Sequence, residues 1–213
     1  MRASNGLTVA LALTIAVVAG TDASAHRRED YLQAARIEVE PDSVLITLDL
    51  MPGIAVAESF ITALDRDGDG ALSGEEQRGY AEMVVSTLQV AIDERPLQPR
   101  LVSWSFPEPS AFRGGEGTIR LMIHATLPRV SAGSHRLFFR NAHMADHSAY
   151  LANALVPESA RVTVTAQRRD RDQRELTIEY TVGADSTGAG LAWVLGSLAA
   201  ALLMVRSRWS RAI

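Results

Sequence analysis

The sequence feature that most limits how this chain can fold is a set of short runs in which polar and apolar residues alternate. They occupy residues 36–40, 44–50, 89–92, 97–106, 118–127, 134–140, 161–167 and 175–182. Alternation with a period of two places successive side chains on opposite faces of a strand, so that one face can enter a core. Turn-forming residues such as Pro41-Asp42-Ser43 separate the runs. Seven or eight short strands of this kind predict an antiparallel β-sandwich.

Two segments depart from this alternation and show helical spacing instead. Residues 54–64 and 75–88 each place apolar side chains on one side of a helix. These are Val56, Phe60, Ile61 and Leu64 in the first, and Tyr80, Met83, Val84 and Leu88 in the second. We therefore predict a mainly β domain over residues 26–183, with a helical insertion at residues 54–88 between early strands.

The stretch between the two predicted helices, residues 65–76, is rich in oxygen ligands. Asp65, Asp67 and Asp69 alternate with other residues, Gly70 permits a sharp turn, and Glu76 closes the run. Ca²⁺ is a hard cation that takes about six to eight oxygen ligands, and carboxylates at this spacing can supply several of them.

This pattern resembles the twelve-position calcium loop of the EF-hand family. The resemblance implies Ca²⁺ as the cofactor and assigns the ligands by position. They are the carboxylates of Asp65, Asp67, Asp69 and Glu76, the backbone carbonyl of Ala71, and Ser73 either directly or through water. Gln77 departs from the family, which usually has an apolar residue there. Because no second loop of this pattern occurs in the chain, we expect a structural site and not a sensor. If the protein is exported, we expect the weak affinity of extracellular calcium modules, about 10⁻⁴–10⁻³ M.

The two ends of the chain are typical of targeting segments. Residues 1–25 predict a secretory signal peptide, with an apolar stretch followed by Ala23-Ser24-Ala25 as a cleavage site. Residues 184–190 predict a linker, and residues 191–213 predict a transmembrane anchor with a short basic tail on the cytoplasmic side. The domain would then face the periplasm or the exterior. An alternative is a C-terminal sorting tail that is removed after export.

Histidines offer a rival interpretation. Cleavage after Ala25 makes His26 the first residue, whose amine and ring can chelate a metal together, and His143 and His147 are four residues apart. These ligands suit a periplasmic copper- or nickel-binding module. The alternative is that both internal histidines are ordinary loop residues.

The start of the mature chain, His26-Arg-Arg-Glu-Asp-Tyr31-Leu-Gln33, is also similar to extracytoplasmic domains associated with HupE/UreJ-type membrane proteins. That similarity implies a link to nickel. A third possibility is a calcium-dependent interaction or adhesion role, with another envelope protein as the partner.

Composition and motifs exclude several other functions. Cysteine is absent, which removes disulfides, lipoprotein anchoring and thiol chemistry. A formal net charge of -4 gives no basis for nucleic-acid binding. The sequence contains no nucleophile elbow, phosphate loop, zinc-protease helix or dinucleotide fingerprint, so we do not expect an enzyme.

Overall fold

Two five-stranded β-sheets form the framework of residues 31–184, the part of the chain that the computed structural model describes. The strands are β1 (Tyr31–Val39), β2 (Ser43–Pro52), β3 (Leu88–Ile92), β4 (Arg95–Pro96), β5 (Arg100–Ser105), β6 (Ile119–Thr126), β7 (Gly133–Asn141), β8 (Ser148–Ala154), β9 (Val162–Arg169) and β10 (Glu175–Val182). The helices are α1 (Ala57–Leu64), α2 (Gly74–Ser86) and α3 (Pro109–Arg113), with a 3-10 turn at Ile54–Val56. The prediction of a mainly β fold with a helical insertion is confirmed, and the insertion lies between β2 and β3.

The two sheets bury a shared core between them. One sheet has the order β5-β6-β2-β1-β8 and the other the order β4-β3-β7-β10-β9. Alternate residues of most strands point inward, as Ile37 and Val39 do on β1, where both are fully buried. The first-sheet side chains and those of the second, such as Phe139 and Ile178, belong to one buried cluster. The arrangement is therefore sandwich-like.

One strand pair contradicts the prediction of a wholly antiparallel sandwich. β8 pairs with β1 in parallel, with Tyr31 opposite Ser148. β7 belongs to the second sheet and β8 to the first, so residues 142–147 cross between the sheets. We call these residues the crossing segment. Because β8 arrives from the other sheet and not through a hairpin, it can join the free edge of β1 in parallel.

The strand predicted at residues 97–106 is confirmed as β5 over Arg100–Ser105, but it does not lie beside β3. Asp93 and Glu94 both have positive φ, 46° and 69°, and form a tight turn after β3. The chain then adds only the two-residue β4 to the second sheet, and β5 pairs with β6 in the first sheet. Pro99 lies directly before β5 and cannot donate to a ladder, which fits a change of sheet at this point. The described residues hold ten strands, not seven or eight.

The helical insertion is anchored by apolar side chains, largely as predicted. Phe60, Ile61 and Leu64 of α1 and Tyr80 and Val84 of α2 are buried. Two members of the predicted second stripe differ. Met83 is 44% exposed, because its side of α2 faces a cavity, and Leu88 begins β3.

Several predictions concern the ends of the chain. The signal peptide, the anchor and most of the linker lie outside the described residues. Within residues 31–184, no helix is long and apolar enough to cross a membrane.

Candidate metal site and the adjoining cavity

The loop between α1 and α2 wraps around the carboxylate of Asp65. This residue ends α1, and its Oδ1 accepts hydrogen bonds from the backbone N–H groups of Gly68 at 2.8 Å and Asp69 at 3.1 Å. Its Oδ2 accepts from Gly70 N–H at 2.9 Å. A short acidic side chain at a helix end thus organises the backbone that follows it.

Two glycines allow the chain to turn back within so few residues. Gly68 and Gly70 have φ of 73° and 83°, in the left-handed region that glycine enters without steric cost. A Cβ at either position would meet no atom of residues 31–184 within 4 Å, so the requirement is for backbone conformation and not for space. This agrees with the expected sharp turn at Gly70.

Three carboxylates converge at one side of the loop. One oxygen from each of Asp65, Asp67 and Glu76 lies within 4.8 Å of the others. Like charges at such distances repel one another, and a bound cation relieves that repulsion. This acidic group could hold a metal ion, and its all-oxygen chemistry is compatible with Ca²⁺.

Glu76 is held in place by the first turn of α2. Ser73 is the N-cap of that helix: its Oγ accepts from Glu76 N–H, while Glu76 Oε2 accepts from Ser73 N–H at 2.8 Å. Glu76 Oε1 accepts from Arg66 N–H at 2.6 Å. The hydrogen bonds from Arg66 and Ser73 lower the pKa of Glu76, so its carboxylate stays ionised at neutral pH.

The remaining predicted ligands lie on the same loop but outside this group of three. Asp69 Oδ1 accepts a 2.8 Å hydrogen bond from Ala71 N–H, which engages that oxygen within the loop. The Ser73 hydroxyl donates to Glu76 Oε2 at 2.8 Å. Ala71 is exposed. The structure thus brings Asp65, Asp67 and Glu76 together, with the other three close by in sequence.

Gln77 also has a structural explanation. Its Nε2 donates a 2.8 Å hydrogen bond to the carbonyl of Leu72 inside the loop. Leu72 itself packs against the core. Gln77 therefore stabilises the loop backbone by a hydrogen bond, at a position where an apolar side chain was expected.

A cavity of about 620 Å³ adjoins the loop, between the helical insertion and the crossing segment. Arg66 and Glu76 of the loop line one part of it, and His143, Met144 and His147 of the crossing segment line another. The sequence motif containing the two histidines therefore lies next to the acidic loop, although more than 60 residues separate them in the chain.

His143 belongs to a buried polar cluster. It is 4% exposed, and its Nε2 lies 3.0 Å from the Tyr80 hydroxyl, which is itself 2.5 Å from the Tyr31 hydroxyl. Burial lowers the pKa of His143 to about 4, so the ring is neutral at pH 7.

Buried polar side chains hold the crossing segment in place through hydrogen bonds. The buried Gln33 donates to the carbonyl of His143 at 2.9 Å and to Ser148 Oγ at 2.7 Å, and it accepts from Asn141 Nδ2 at 2.7 Å. Asn141 Oδ1 accepts from His143 N–H. A buried network with its partners satisfied is rigid, so His143 is held in a defined position.

No protein-family model matches this chain, and no curated protein or solved structure matches it. The similarities to the EF-hand family and to domains of HupE/UreJ-type proteins therefore stay predictions. The chemistry of the site rests on the residues themselves.

The predicted histidine site is only partly brought together. His143 and His147 line the same cavity, but His26 lies outside the described residues. Within residues 31–184, the only group of three or more metal-ligating His, Asp or Glu side chains is Asp65, Asp67 and Glu76. The copper or nickel hypothesis stays a prediction.

No sequence motif identifies Tyr31, Tyr80 or Arg66 as site residues. Tyr80 was expected only as part of an apolar helix face, and Tyr31 only as part of the segment before the first strand. Their hydroxyl contact joins residues 49 positions apart, and such pairs leave no local pattern.

Proposed function

We propose that residues 65–76 form an EF-hand-type calcium site, and that Ca²⁺ stabilises the helical insertion on the β-sandwich. One observation carries this: oxygens of Asp65, Asp67 and Glu76 converge within 4.8 Å. We propose a binding and structural role and no enzymatic activity.

The donor set supports calcium over softer or smaller metals. The three converging ligands are carboxylates, and the further candidates are Asp69, the Ala71 carbonyl and the Ser73 hydroxyl, all of them oxygen donors. Transition metals favour nitrogen and sulfur ligands, and Mg²⁺ requires near-octahedral geometry and keeps several waters. A flexible loop with many carboxylates suits the higher coordination number of Ca²⁺.

Calcium would act on the fold by joining two helices. Asp65 ends α1 and Glu76 lies in the first turn of α2, so a shared ion links the two helices and removes the repulsion between their carboxylates. Phe60 on α1 and Tyr80 on α2 pack edge to face, with ring centres 5.4 Å apart. By linking α1 and α2, Ca²⁺ would fix the angle between them and so stabilise the helical insertion where it covers the sandwich.

We further propose that the protein is exported and anchored in the cell membrane by residues 191–213, with the domain facing the periplasm or exterior and the C-terminus in the cytoplasm. The apolar stretches at both ends support this. A weak calcium site is adequate outside the cytoplasm, where the ion is abundant. Another envelope protein is a possible partner for the anchored domain.

Isothermal titration of Ca²⁺ into the purified full chain tests the calcium site. We expect one saturable event in the 10⁻⁴–10⁻³ M range or tighter, which Glu76→Gln abolishes. Glu75→Gln is the matched control, since Glu75 is the preceding residue on α2 but is not part of the converging group. Absence of heat up to 10 mM Ca²⁺, or equal loss in both variants, would contradict the proposal.

The second candidate is the copper- or nickel-binding module. The observation in its favour is that His143 and His147 line one cavity with the thioether of Met144. Titration of Cu²⁺ and Ni²⁺ distinguishes the two functions, because His147→Ala and His26→Ala should weaken transition-metal binding and leave Ca²⁺ binding unchanged.

A further inference from the structure

The cavity beside the acidic loop has the walls of a small-molecule site. Its volume of about 620 Å³ falls within the usual range for ligand pockets, about 300–1,000 Å³. Its lining includes the aromatic rings of Tyr31, Phe60 and Tyr80 and the thioethers of Met83 and Met144. Such walls favour an apolar ligand body.

Two polar groups in the lining have no hydrogen-bond partner among the described residues. The Arg66 guanidinium makes no hydrogen bond or ion pair within residues 31–184; the one hydrogen bond of this residue there is from its backbone N–H to Glu76. His143 Nδ1 likewise has no hydrogen-bond partner there. When Tyr31 donates to Tyr80 and Tyr80 donates to His143 Nε2, the ring proton lies on Nδ1, which is then a donor.

These two groups define the polar end of a ligand. A guanidinium matches the planar geometry of a carboxylate, and an imidazole N–H can donate to the same group. One unpaired cation in a mainly apolar cavity suits a monoanion better than a doubly charged phosphate. We propose that the cavity binds a small carboxylic acid with an apolar body, its carboxylate directed towards Arg66 and His143.

The other charge in the lining does not oppose this assignment. Both carboxylate oxygens of Glu76 are directed into the loop, where they accept from Arg66 N–H and from Ser73. If residues 65–76 bind Ca²⁺ as proposed above, the ion neutralises this charge and ligand affinity increases. That coupling rests on the proposed function, whereas binding in the absence of calcium does not.

Methionine methyl groups provide a direct test. Met83 and Met144 line the cavity, while Met51 and Met122 lie on β2 and β6 and are not part of its lining. The full chain, labelled at its methionine methyl groups and kept free of detergent, is titrated with 2-naphthoate and with decanoate, first in chelator and then in Ca²⁺. We expect saturable shifts of the Met83 and Met144 signals, with Met51 and Met122 unmoved, for an aromatic acid, an alkyl acid or both.

A charge variant tests the polar assignment. Arg66→Gln should weaken carboxylate binding about tenfold and leave the neutral 2-naphthalenemethanol little changed. Arg78→Gln is the matched control, since Arg78 pairs with Glu82 on the exposed face of α2. The proposal is overturned if neither acid shifts the Met83 and Met144 signals, if the Met51 and Met122 signals shift as much as these, or if Arg66→Gln binds naphthoate as tightly as the unaltered chain. Ligand binding in chelator without any response to Ca²⁺ would support the cavity site and count against the calcium proposal alone.

Discussion

The hydroxyl groups of Tyr31 and Tyr80 lie 2.5 Å apart and join the helical insertion to the first residue of β1. Tyr80 is also within 3.0 Å of His143 Nε2, so it connects α2 to the crossing segment as well. Both tyrosines are buried, at 1% and 8% exposure. The position of the helical insertion is therefore set by polar contacts as well as by apolar packing.

Replacing Tyr80 with Phe should destabilise the fold. The change removes the hydroxyl between two buried groups and leaves Tyr31 and His143 without their shared partner, at a cost of about 1–3 kcal/mol. Tyr180→Phe is the matched control, because the Tyr180 hydroxyl is buried and has no hydrogen-bond partner among residues 31–184. Loss of the Tyr180 hydroxyl should leave the free energy of unfolding unchanged or raise it slightly. Denaturant unfolding measures both, and equal destabilisation by the two variants would refute the bridging role of Tyr80.

His143 should make stability depend on pH between about 6.5 and 4. Burial lowers its pKa in the folded state to about 4, while the unfolded chain keeps a value near 6.5. The unfolded state therefore takes up the proton first as pH falls. The stability that depends on a neutral His143 is fully present above pH 6.5. It is lost as pH falls from 6.5 to 4 and changes no further below pH 4, which lowers the free energy of unfolding by up to about 3 kcal/mol.

The difference between the unaltered chain and His143→Gln isolates this effect. His135 acts in the opposite direction: its hydrogen bond with Asp93 raises its pKa, so it adds stability at low pH that is lost as pH rises. Because His135 is present in both proteins, its contribution cancels. Unfolding free energies of the two proteins that stay parallel from pH 7 to pH 4 would show that His143 is not held neutral by burial.

Gly70→Ala should weaken calcium binding through backbone strain and not through a steric clash. At φ of 83°, an alanine costs about 1–2 kcal/mol of backbone strain, although its Cβ would meet no atom within 4 Å. We expect roughly a tenfold loss of calcium affinity by titration calorimetry. Gly74→Ala is the control: this residue begins α2, its φ is not in the left-handed region, and alanine there should be neutral or stabilising by about 0.4–1 kcal/mol. A Gly70→Ala variant with unchanged affinity would show that the sharp turn is not required.

Local patterns in the sequence predicted most of the strands and the helical insertion. Ile37, Val39 and Leu48 alternate with polar neighbours, and burial follows that alternation. β8 escaped prediction because its inward positions are Ser148, Tyr150 and Ala152, which form no clear apolar stripe. Its parallel pairing with β1 depends on a crossing between sheets, which no short window of sequence records.

The acidic loop was predictable and the cavity was not. Ligands in the loop follow one another within twelve positions, so their spacing alone indicates a cation site. The cavity combines Tyr31, Arg66, Tyr80 and His143, which come from four separate parts of the chain. Met83 shows the same limit, because its place in an apolar helical stripe gave no sign that it borders a cavity instead of the core.

Thermal unfolding of the full chain in 10 mM Ca²⁺ and in excess chelator tests the central claim most directly. With affinity in the 10⁻⁴–10⁻³ M range, calcium should add about 1–3 kcal/mol to the free energy of unfolding and raise Tm by roughly 3–10 °C. Asp65→Asn should remove most of this difference, because Asp65 belongs to the converging carboxylates. Superimposable melting curves with and without calcium would contradict the claim that an ion in this loop stabilises the fold.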